Sequence, residues 1–149
     1  MNTFAARIVY VALAWLFVAA VLAQVSLAGL ALFNGAGWTI HRDMGHSIVL
    51  LPMVLLILAW VGRMPRPALK LAALLFGLVV VQVEVFAAIR HQMPALAALH
   101  PVLALLVFSI GFTVAQNAWR IVSTSRPQGG ATEHRLTART SPGQSSPTS

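Results

Sequence analysis

The sequence predicts an all-α fold, a four-transmembrane-helix bundle running up-down-up-down, with a disordered C-terminal tail. Three observations predict it. Of the 149 residues, 58% are hydrophobic and only 9% charged, whereas about a quarter of the residues in a soluble domain are charged. Four apolar runs, each long enough for the roughly 20 residues that cross a bilayer, are separated by short loops rich in turn formers. After Arg120 the hydropathy collapses, and Ser, Thr, Pro and Gly make up more than half of what remains.

The first helix is expected over about residues 8–33, which carry no charge. That run is longer than the apolar region of a secretory signal, so it reads as a retained helix. Gln24, Ser26 and Gly29 are its polar or small positions, and the plain reading of them is close helix packing. Asn34-Gly35-Ala36-Gly37 is a turn. The second helix is expected over about 39–61. Pro52 should kink it, because proline frees the carbonyl four residues back, at Ile48. After Gly62-Arg63-Met64-Pro65-Arg66-Pro67 the third helix is expected over about 68–89, with Gln82 and Glu84 in its later half. Arg90-His91-Gln92-Met93-Pro94 forms the next loop, and the fourth helix is expected over about 95–118. Residues 1–119 then form the transmembrane domain and 120–149 a tail too polar to bury a core. No internal repeat is evident.

Charge fixes an orientation. Arg7, Arg63, Arg66, Lys70 and the tail arginines all fall at one end of an even-numbered bundle. The positive-inside rule puts that end, with both termini, in the cytoplasm of a cell inner membrane. The net charge of +7 therefore reads as topology and attraction to anionic lipid rather than nucleic-acid binding. The absence of cysteine excludes disulfides, thiolate metal sites and cysteine nucleophiles.

His41, Arg42, Asp43, His46, Glu84, Arg90, His91 and His100 gather toward the opposite end. His41 and His100 each open a helix, so they lie at similar depth on diagonal partners. Neighbouring axes about 8–10 Å apart put that diagonal at roughly 11–14 Å. Two histidines facing across such a gap suit the two axial positions of a haem iron. Gly45 and Ala104, one turn further along each face, are small enough to clear a flat macrocycle. Arg42 suits a haem propionate. The plainer reading is that each histidine hydrogen-bonds water or backbone at a helix mouth. His46 lies five residues after His41, about 140° around the helix, which argues against a zinc site built from His41, His46 and His100. His46 is expected to approach Glu84, since a carboxylate in apolar surroundings needs a partner. His91 and His134 read as solvated.

Several of these residues carry a resemblance. Gln24-Val25-Ser26-Leu27-Ala28-Gly29-Leu30 through Gly37, Ile40-His41-Arg42, and Leu99-His100 followed by Ala104-Leu105-Leu106 resemble, in order, one four-helix half of the haem A synthase family. The resemblance implies a b-type haem with His41 and His100 as its axial ligands. It does not extend to His46, Glu84 or His91. That family has two halves where this chain has one. Trp38 stands where the oxygen-chemistry half has glutamate, and loop cysteines found in some members are absent. These departures put haem oxidation in doubt, and the sequence leans away from an enzyme without deciding the question. It is also similar to small four-helix membrane proteins without an assigned function. The expected function is a haem b protein that moves electrons or handles haem, with a second copy or an electron-transfer protein as partner. The alternative is a cofactor-free membrane subunit or adaptor. A third reading is a single bundle that dimerises to mimic the eight-helix enzyme.

Overall fold

The computed structural model describes residues 3–124, and all regular structure among them is helical. Helix α1 spans Thr3–Phe33, α2 Thr39–Val61 and α3 Arg66–Ile89. A single helical turn, Pro94–Ala97, precedes α4 at His100–Thr124. With α4 counted from Pro94, all four are long and apolar enough to cross a membrane. The kink expected at Pro52 shows as a break at Val49 between two helical pieces, Thr39–Ile48 and Leu50–Val61. Pro101 is tolerated because it lies in the first turn of α4, where backbone N–H groups have no helical partner.

Four helix boundaries differ from the sequence expectation. Helix α1 starts at Thr3 rather than near residue 8, and α3 at Arg66 rather than near 68. Helix α4 proper starts at His100, not 95, and continues to Thr124, through the first residues assigned to the tail. Hydropathy marks what sits in hydrocarbon, whereas helices continue as long as one face packs. Ile121 and Val122 lie partly buried against the core. Residues 125–149, the rest of the expected tail, and His134 lie outside the described residues.

Helix α1 packs along α2 and α4, and α3 packs along the same two, which makes α2 and α4 diagonal. Consecutive helices are antiparallel. Arg7, at the start of α1, donates from Nε to the Gly62 carbonyl at 3.1 Å and from Nη2 to the Arg63 carbonyl at 3.3 Å, at the end of α2. These are the carbonyls a helix leaves without partners at its C-terminus, and a cation there also complements the helix dipole.

The core fills only one end of this bundle. Its largest side chains are Tyr10 and Phe17 from α1, Leu55 from α2, and Leu75 and Val79 from α3, with Val107 and Val114 from α4. Ala14, Ala59, Ala72, Gly111 and Ala115 bring the helices close between them. Toward the other end burial stops. In α1 no residue beyond Val21 is buried, in α2 none before Ile48, and in α4 none before Val107.

Candidate functional site

The unfilled end holds a half-open apolar cavity of about 940 Å³ to which all four helices contribute. Gln24, His41, Gly45, Gln82, His100 and Ala104 line it, and the guanidinium-bearing Arg42 and Arg90 border it. Gly45 and Ala104, singled out for clearance, are therefore both on its wall.

His41 and His100 face each other across this space, their ring centres 6.4 Å apart and their planes inclined at 66°. A metal–imidazole bond of about 2 Å, plus about 1.2 Å from that nitrogen to the ring centre, separates two opposed ligand rings by about 6.4 Å. The observed centre-to-centre distance equals that figure. An aromatic ring steadies each histidine. Trp38 meets His41 edge-on at 5.6 Å, and Phe86 lies 6.0 Å from His100.

Two glutamines hold the histidines from behind. Gln24 Nε2 donates to the His41 carbonyl at 3.0 Å, and His41 Nδ1 lies 3.2 Å from the Gln24 carbonyl. A carbonyl only accepts, so Nδ1 carries the proton and Nε2 keeps its lone pair. The second helical hairpin repeats the arrangement. Gln82 Nε2 donates to the His100 carbonyl at 3.0 Å, and the His100 side chain lies against the Gln82 backbone. Both glutamine Oε1 atoms are buried without a partner. A Cβ added at Gly45 would stand 3.2 Å from Gln24 Nε2, so this glycine leaves room for the amide as well as for the cavity.

The sequence reading assigns Gln24 to helix packing and gives Gln82 no role. Two signals were present: an amide inside an apolar span, and a near-equal distance to the histidine that opens the next helix, 17 residues in one hairpin and 18 in the other. The longer interval contains a π-turn at Val81–Val85, a wider turn than the α-helix and one often found at functional sites.

His46 and Glu84 are brought together, with Nδ1 to Oε1 at 3.1 Å and both side chains about half exposed. Glu84 lies within the π-turn, which sets its direction around α3. Arg90 donates from Nε to His91 Nε2 at 3.1 Å. Among the described residues no three His, Asp or Glu side chains converge on a metal position. A macrocycle supplies four ligands of its own, so the histidine pair is complete for haem and incomplete for a bare ion.

Residues 24–88 match a family of unknown function (DUF6220). That stretch holds the first glutamine–histidine pair, Gln82, His46 and Glu84, and stops before His100. No curated protein and no solved structure matches the chain. The resemblance to half of haem A synthase therefore rests on the short motifs alone.

Proposed function

We propose that this protein is an integral membrane haem b carrier with His41 and His100 as axial ligands, acting in electron transfer or haem handling. One observation carries the reading: two histidine rings from diagonal helices, 6.4 Å apart, inside an apolar cavity of about 940 Å³. Haem bound there supplies one-electron redox chemistry, while the chain sets ligand geometry and polarity. His41 presents Nε2, Gly45 and Ala104 leave room beside the ring plane, and Arg42 meets a propionate. The bundle runs up-down-up-down through a cell inner membrane with both termini cytoplasmic. This orientation is supported by Arg7, Arg63, Arg66, Lys70 and Arg120 at the solid end, with Trp60 and Trp119 exposed beside them.

The test is an absorption spectrum of the purified protein after expression with ample haem, oxidised and dithionite-reduced, beside His41→Ala/His100→Ala. A sharp reduced α-band that the double variant lacks is expected. A featureless spectrum refutes the reading. The second reading, a cofactor-free subunit or adaptor, is favoured by one observation: outer polar groups satisfy one another, His46 with Glu84 and Arg90 with His91.

A further inference from the structure

We propose that Gln24 and Gln82 are the positioning residues of the two histidines, forming a duplicated latch that presets each imidazole as a ligand. The inference rests on the haem reading for what the rings meet, but the latch belongs to the polypeptide alone.

Each glutamine ties two helices through its amide, and in the first hairpin the tie is reciprocal. Its amide nitrogen donates to the backbone carbonyl of the histidine, at 3.0 Å in both hairpins. A carbonyl inside a helix has a second lone pair free for such a donor. In return, His41 Nδ1 bonds the Gln24 carbonyl at 3.2 Å, and the His100 side chain lies against the Gln82 backbone. His41 is thereby held at main chain and side chain together. This selects the tautomer with hydrogen on Nδ1 and a bare Nε2, the form that binds a metal. The π-turn at Val81–Val85 lies in the hairpin whose glutamine–histidine interval is one residue longer, and the second latch still closes to the same 3.0 Å.

The amide oxygens set these glutamines apart from ordinary packing residues. Both Oε1 atoms are buried and unpartnered, and such a group destabilises the fold. Leucine at either position would avoid that cost. What leucine lacks is the donor to the histidine carbonyl. Gly45 adds an independent mark, since a Cβ there would press on Gln24 Nε2 at 3.2 Å.

The experiment reads histidine ring nitrogens by ¹⁵N NMR in full-length, haem-free protein in lipid nanodiscs, and the low-spin electron paramagnetic resonance signal after haem loading. Wild type is compared with Gln24→Met, Gln82→Met and Gly45→Ala. The wild type is expected to hold His41 with Nδ1 protonated and His100 in a single tautomer. Gln24→Met and Gly45→Ala should mix tautomers at His41 alone, and Gln82→Met at His100 alone. Each should weaken haem retention roughly tenfold or more and alter the resonance signal. Confinement of each effect to one ring separates a lost latch from a misfolded bundle. Wild-type His41 protonated at Nε2, or Gln→Met rings unchanged from wild type, overturn the latch. Ordered tautomers in a protein that takes up no haem support the latch and refute the haem reading.

Discussion

Replacing Gly111 by alanine tests how tightly the solid half of the bundle is packed. The added Cβ would stand 2.7 Å from Phe17 Cε1 and 3.0 Å from Cδ1. Carbon atoms settle at about 3.5–4.0 Å, so the ring or a helix must move by about 1 Å. The ring has little freedom: Phe17 is 1% exposed, and Leu75 approaches the same point from α3 at 3.9 Å. Forcing a methyl into a filled core costs about 1–3 kcal/mol, and the rigid neighbour argues for the middle of that range. A loss of about 2 kcal/mol lowers the folded-to-unfolded ratio roughly thirtyfold. The assay is unfolding in mixed micelles by rising dodecyl sulfate, followed by loss of tertiary aromatic signal. Phe17→Leu removes the ring edge, so Gly111→Ala/Phe17→Leu should be more stable than the summed single losses by at least about 0.5 kcal/mol. A single variant within about 0.3 kcal/mol of wild type, or strictly additive losses, refutes the close α1–α4 packing.

Three further outcomes are expected. Arg7→Met should destabilise the bundle by about 1 kcal/mol, because the end of α2 loses a charged donor to Gly62 and Arg63; the same titration measures it. Arg63 sits at φ 48°, a left-handed backbone that costs a side-chain-bearing residue about 1 kcal/mol, so Arg63→Gly should raise stability by a similar amount while Arg63→Val lowers it. Ala104→Phe should fill the cavity between the histidines and abolish the haem absorbance of the loaded protein while leaving helicity unchanged by circular dichroism.

The four spans were legible because apolar runs of bilayer length have few other readings. Their ends were not. Hydropathy is silent about Ile121 and Val122, which extend α4 by packing on a neighbour. His41 and His100 were legible as a pair because each opens a helix that returns in the same direction. His46 and Glu84 needed only the helical rise, which puts them at matching depth. The glutamines were harder to see. Their function depends on a bond to the backbone of another residue, and a carbonyl has the same identity at every position. The one-residue difference between the two glutamine–histidine intervals also concealed the duplication, and a π-turn has no marker in amino-acid type.

The uneven packing has a consequence for the order of events in the molecule's life. The contacts that hold the four helices together are concentrated in the half between Tyr10 and Ala118, away from the histidines. The bundle therefore does not depend on its hollow end being filled in order to assemble, and under the proposed function occupation of that end would be a separate, later step.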